Sequence, residues 1–252
     1  MGVVTDRQGP VEVLKMDWPD RHNALGPSEA DDIGAALDAA CDGRVRALVI
    51  TGTAAFCAGG DLRQISELAQ GPAEMLRDSV YGSFQVLVRK LVELPIPVIA
   101  AIDGPAIGLG MDLALACDMR FIGEKGWMRQ GWAALGLIPG TGGVLLLRRL
   151  APGLLWRLIA DQPRLGPLEA SKLGLAESAA PGDALSAALS RARQLALLPA
   201  ATIAAYVRLE RQGLAEELEA HLPSCLDLQI GLLRSPEFAR KSQEILGTRT
   251  AR

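Results

Sequence analysis

Histidine is nearly missing from this chain. His22 and His221 are the only two and lie far apart, which argues against a histidine-based metal site. Cysteine is almost as scarce: Cys41, Cys57, Cys117 and Cys225 are scattered without a CxxC pair or metal spacing. Reduced thiols in a cytoplasmic protein, and no metal, are expected. No basic block stands out of the net charge of −3, so nucleic acid is not an expected partner. No apolar run reaches the ~20 residues of a membrane helix, since Pro199 and Thr202 break the longest weakly polar stretch, Leu195 to Val207. Asp6, Arg7 and Glu12 stand where a signal peptide needs its apolar centre, so secretion is not expected. No repeat at solenoid or propeller periods is present.

What the chain does have is apolar residues, 49% of its 252, enough for a large core and too many for a disordered chain. Val3–Val4 and Val11–Met16 flank Gln8-Gly9-Pro10 and read as a hairpin. Pro27-Ser28 opens an amphipathic helix, Ala47 to Thr51 is a buried strand, and Leu62 to Leu68 begins another helix. Val80, Phe84, Leu87, Val88 and Leu91 mark a longer helix that Pro95 and Pro97 end. Met119 to Ile122 is a further strand, and a helix runs from Thr141-Gly142-Gly143 to Leu150. Helices then dominate: Leu154–Ile159, Pro167–Leu173, Asp183–Leu198, Ala200–Leu222, Pro223–Arg234, and a last one opened by Ser235-Pro236-Glu237. Strands alternating with helices to about Leu150, followed by helices, predict an α/β core with a helical C-terminal extension. The apolar faces of that extension either cover the sheet or make subunit contacts.

Two strand-to-helix turns carry the chemistry. Val98–Ile102 is an apolar run fit for a strand buried on both faces. Asp103-Gly104-Pro105 stops it, Gly108 and Gly110 bracket a turn, and good helix formers follow from Met111. Thr51 to Leu62 has the same plan. Such turns leave backbone N–H groups unpaired at a helix start, where an anion or a developing oxyanion is favoured. If the two strands are neighbours, one N–H from each turn meets at a single carbonyl oxygen; the alternative is two ordinary glycine turns.

Asn23-Ala24-Leu25, Phe56 to Leu62, Pro97 to Gly108, Leu115 to Asp118 and Leu135 to Gly143 resemble the enoyl-CoA hydratase/isomerase (crotonase) superfamily, in family order and spacing over at least Asp17 to Gly182. The resemblance implies a spiral of ββα units over residues 1–198 and a helical C-terminal trimerisation region over 199–252, within one structural unit. It also implies a homotrimer or a dimer of trimers. The implied ligand is an acyl-CoA thioester, with coenzyme A part of the substrate and no permanent cofactor. Its carbonyl would be held by the N–H groups of Ala58 and Leu109. Its adenine and phosphates would lie near Arg21, His22, Ala24, Ala58, Gly60, Asp61 and Leu62, with Arg21 and His22 either on phosphate or simply solvated.

The departures from the family pattern concern the reaction. Hydrating members use two glutamates, one to activate water and one to deliver a proton. The first position is Asp112, one methylene shorter, and the second is Trp132, which has no acid. Two-glutamate hydration is therefore not expected. Dienoyl-CoA isomerases have Asp at the first position but further acids where this chain has Trp132 and Gly140. The 4-chlorobenzoyl-CoA dehalogenases have the tryptophan, but their nucleophilic aspartate falls on Gly140. Asp112 either acts as an acid–base residue with a raised pKa or hydrogen-bonds N–H groups at the helix start. Leu109 replaces the family's usual glycine and would be strained if its backbone were left-handed. Gly131, often proline in the family, would loosen its loop. Trp127, Trp132 and Gln130 are expected to line the acyl pocket, Trp132 alternatively being plain core. Asp61 and Asp118 look structural, and Cys57 has no following histidine to activate it. The expected activity is proton transfer or isomerisation at an acyl-CoA, by a lyase- or isomerase-type enzyme of fatty acid metabolism. The alternative is a non-catalytic acyl-CoA binder or oligomerisation paralogue.

Overall fold

The computed structural model of the chain describes residues 1–250, with side chains through residue 247. In its first half the strands β1 (Gly2–Gln8), β2 (Val11–Asp17) and β3 (Ala47–Gly52) alternate with helices α1 (Pro27–Ala39) and α2 (Leu62–Leu68). A short α3 (Ala73–Met75) runs through a π-helical turn, Leu76–Tyr81, into α4 (Gly82–Glu93). Next come β4 (Val98–Ile102), β5 (Pro105–Ile107), α5 (Leu109–Ala116), β6 (Met119–Ile122) and β7 (Trp127–Arg129). Then follow α6 (Gly143–Leu150), α7 (Leu155–Asp161), α8 (Pro167–Lys172), β8 (Glu177–Ser178) and α9 (Ala184–Ala196). The chain closes with α10 (Ala200–Glu210), α11 (Leu214–Leu233) and α12 (Pro236–Thr250).

Six strands form the main sheet in the order β1-β2-β3-β4-β6-β8. β1 and β2 are the antiparallel hairpin, and every later pairing is parallel. The strands alternate between two apolar layers, as their period of two requires. Leu48, Ile50, Val98, Ala100 and Ile102 join the large core with α1, α4 and α5. Val49, Ala47, Ile99 and Ala101 face Ala184, Ala188, Ala192 and Ala196, a four-residue stripe along α9. A sheet covered on both faces explains why β3 and β4 read as unbroken apolar runs.

A second, thinner layer sits past the strand ends. It consists of the parallel pair β5–β7 and the bridges Leu25–Gly60, Cys57–Ala106 and Met128–Leu165. Each turn of the chain thus passes from a long strand to a short extended piece and then to a helix, which is the expected ββα spiral. β5 was not expected, because Pro105 reads as a strand stop. Its edge still pairs: Cys57 N–H donates to Pro105 O and Ile107 N–H to Cys57 O, both at 3.0 Å. That pairing holds the two glycine turns side by side.

The C-terminal helices differ from expectation in one place. The break between α10 and α11 falls at Arg211–Gly213, and Pro223 lies inside α11. Gly213 takes φ +78°, which a helix cannot continue through. Ser235 caps α12 as expected, its Oγ accepting from Phe238 N–H at 3.2 Å. No helix of the described residues is long and apolar enough to cross a membrane.

Candidate active site

α5 begins directly after β5 because Gly108 turns the chain with φ +55°, a backbone left to glycine at little cost. The positive angle belongs to Gly108, so Leu109 is an ordinary first helical residue and the strain expected there does not arise. α5 packs hard on the first turn. A β-carbon on Gly110 would collide with the carbonyl oxygen of Cys57. Leu109 N–H, at the head of this wholly buried helix, pairs with no acceptor among the described residues.

The first turn supplies a second free donor, at Gly60 rather than Ala58. Ala58 N–H donates to His22 O at 3.0 Å, so it is already spent. Gly60 N–H has no acceptor among the described residues, although its neighbours do: Leu25 N–H donates to Gly59 O and Asp61 N–H to Leu25 O. The expectation for Ala58 fails because its partner arrives from a loop remote in sequence. Gly60 and Leu109 both border one cavity of about 60 Å³, with Leu62, Ile65, Tyr81, Ile107, Trp132, Leu135 and Leu137 among its walls.

Asn23 locks that remote loop in place. It is fully buried, accepts from Trp18 N–H at 2.7 Å and donates to Ala55 O at 2.7 Å. The segments of Arg21, His22 and Ala24 and of Gly60, Asp61 and Leu62 are thereby brought together, as expected. Arg21 is not idle: its guanidinium meets Glu29 at 3.1 Å and Asp61 at 3.6 Å. Asp61 caps α2 through the N–H groups of Arg63 and Gln64, and Asp118 accepts from Val98 N–H and Arg211. His22 is exposed.

Asp112 lies one turn into α5 and is 4% exposed. Its Oδ2 accepts from Trp132 Nε1 at 3.0 Å and from Thr141 Oγ1 at 2.8 Å. Gly143, the first residue of α6, packs against the carboxylate with no room for a β-carbon. Burial raises its pKa to about 7, against the opposing pull of the Thr141 and Trp132 hydrogen bonds. Asp112 is thus held by side chains and not by the N–H groups of its own helix start. Trp132 borders the cavity and Asp112 does not, so the indole stands between the acid and the pocket.

Of the residues expected to line the acyl pocket, Trp132 borders this cavity and Trp127 and Gln130 do not. Trp127 sits under the Arg164 guanidinium, 4.7 Å from its ring centre. Gln130 Oε1 accepts from Ala133 N–H at 3.4 Å and so shapes the turn that delivers Trp132. Gly131 in that turn has φ +70°, which proline cannot adopt, so the glycine fixes the loop rather than loosening it. The Cys57 thiol is pushed up to about 12 by burial and is no nucleophile at neutral pH. Three participants had gone unnoticed in the sequence. Thr141 stands in the recognised Gly140–Gly143 motif, whereas Tyr81 and Gln229, 148 residues apart and hydrogen-bonded, share no motif.

The model of the enoyl-CoA hydratase/isomerase family matches residues 6–246. The chain belongs to this family. It is 33% identical over 242 residues to a probable enoyl-CoA hydratase of Rhodobacter capsulatus, covering 94% of this chain and 91% of that one. It is 34% identical to the mitochondrial enoyl-CoA hydratase domain-containing protein 2 of Bos taurus, covering 88% and 75% of the two chains. Among solved structures, an enoyl-CoA hydratase/isomerase from Mycobacterium paratuberculosis superposes with a TM-score of 0.88 at 25% identity, over 96% of this chain and 97% of that one.

Proposed function

We infer that this chain is an enzyme that binds an acyl-CoA thioester, polarises its carbonyl and moves a proton at the carbon beside it. The observation that carries the reading is the pair of N–H groups, Gly60 and Leu109, unpaired among the described residues and bordering one small, mostly apolar cavity. Enolate charge on a thioester oxygen is what two preorganised donors stabilise, each worth ~3 kcal/mol in such sites. The CoA portion would run along Arg21–Ala24 and Gly60–Leu62. Trp132 carries no acid, so hydration by two glutamates is not proposed. Asp112, poised near pH 7, is the acid–base group once the Trp132 indole moves aside.

Deuterium uptake at the α-carbon of an acyl-CoA in D2O, followed by mass spectrometry, tests this. The wild-type chain should exchange the proton, and Asp112→Asn should slow exchange by about 100-fold or more. Binding without exchange would leave the second reading, a non-catalytic acyl-CoA binder. The indole cover over Asp112 is what favours that alternative. No binding of any CoA ester would remove both.

A homotrimer or dimer of trimers in the cytoplasm completes the proposal. Leu197, Leu198, Tyr206 and Leu209, exposed on and before α10, supply an apolar face for subunit contact. Sedimentation at three or six times the mass of one chain is the expected result.

A further inference from the structure

The cavity wall carries two polar side chains, Trp132 and Tyr81. Trp132 spends its one N–H on Asp112. Tyr81 is different. It ends the π-helical turn Leu76–Tyr81, is fully buried, and lies against Gly140, where a β-carbon would come within 2.6 Å of the ring. A π-turn inside a helix often marks a functional site.

The phenol oxygen accepts a hydrogen bond from Gln229 Nε2 at 2.7 Å. That amide has one orientation, because its Oε1 accepts from Ile138 N–H at 3.0 Å, and Gln229 is fully buried. A backbone N–H only donates, so Gln229 must present oxygen to Ile138 and nitrogen to Tyr81. Tyr81 is therefore the acceptor in that bond and keeps its own proton for another partner. Among the described residues it donates to none. Burial also holds the phenol above its ordinary pKa, so the proton stays in place. A buried donor without an acceptor is rare in a folded protein and points to a group that arrives from outside.

We propose that Tyr81 selects the acyl group by donating its hydrogen bond to an uncharged oxygen on the acyl chain, so that the substrate is an oxoacyl-CoA rather than a plain alkanoyl-CoA. This rests on the thioester reading above and deepens it. The acceptor is uncharged because the cavity wall is mostly apolar, and because the buried Asp112 carboxyl would oppose a second carboxylate nearby. A site built to hydrogen-bond an oxygen discriminates against the analogue that lacks it, since the donor is then left unpaired.

Calorimetric titration with CoA esters of one chain length decides it, comparing the saturated ester with a series whose oxo group is stepped along the chain. The wild-type chain should bind one member of the oxo series about ten-fold or more tightly than the saturated ester. Tyr81→Phe should bind the two alike. Equal affinities across the series in the wild type, or a preference that survives Tyr81→Phe, would overturn the assignment. If the wild type binds no ester at all, the thioester reading itself falls, which is a separate outcome. A second measurement does not depend on the folding of Tyr81→Phe. Tyr206 is exposed and the chain has only two tyrosines, so Tyr206→Phe leaves Tyr81 as the sole reporter. With ¹³Cζ-labelled tyrosine, the preferred oxo ester should shift its NMR signal and the saturated ester should not. A bound oxo ester that leaves the signal in place would refute the contact.

Discussion

On the proposed reading, Asp112 sets activity against stability in a single side chain. Its carboxyl is raised from 3.8 to about 7 by burial, so the fold disfavours the charged form. As pH rises from about 4 to 7 the unfolded chain loses this proton first, and the folded state loses stability until both forms are ionised. Asp112→Asn keeps an oxygen for Trp132 and Thr141 while removing the charge. The variant should gain about 2 kcal/mol or more at pH 8, a Tm rise of roughly 5 °C, and nothing at pH 4. A Tm difference that does not change between those pH values would refute the assignment. The same substitution is expected to abolish most proton exchange, the usual trade where an active site carries an unfavourable group. The type and place of Asp112 were readable from the sequence, one helical turn beyond the glycine turn. Its cover was not, since Trp132 and Thr141 reach it from 20 and 29 residues away.

At the scale of elements, the site depends on α5 lying directly on the Cys57–Gly60 turn. Gly110→Ala puts a methyl on the Cys57 carbonyl, and neither backbone can yield without parting the Gly60 and Leu109 donors. The expected cost is about 3 kcal/mol in urea unfolding, with loss of CoA-ester binding in the fraction that still folds. Native stability together with native binding would show that the helix and turn can slide apart. The strand–turn–helix plan of β4 and α5 was legible because a buried strand writes an apolar run and its turn writes glycine. β5 was not, because three residues beginning with proline are too few to show a period and owe their shape to Cys57 across the way. Ala58 was chosen over Gly60 for a related reason. Which N–H stays free is settled by the His22 carbonyl, and no local pattern announces a hydrogen bond made 36 residues upstream.

For the molecule as a whole, Arg211 joins the C-terminal helices to the core. It is 8% exposed, pairs with Asp118, and donates to the carbonyls of Val92, Leu94 and Ile96 where α4 gives way to β4. Arg211→Ala strands the half-buried Asp118 and three carbonyls. A loss of about 3–5 kcal/mol is expected, with α10 becoming sensitive to limited proteolysis. A loss under about 1 kcal/mol would mean that the helices are held by packing alone. The sequence set these helices apart from the alternating core, and it placed their break at Pro223 because proline is the louder signal. α11 absorbs that proline and still delivers Gln229 to Tyr81. The row that runs from Ile138 N–H through Gln229 to Tyr81 begins at a peptide nitrogen, whose polarity is written into the covalent chain. Every link after it inherits that direction. Acid or base cannot turn the row round, so Tyr81 offers a donor at any pH the fold survives, while Asp112, behind the Trp132 indole, changes its character near neutrality.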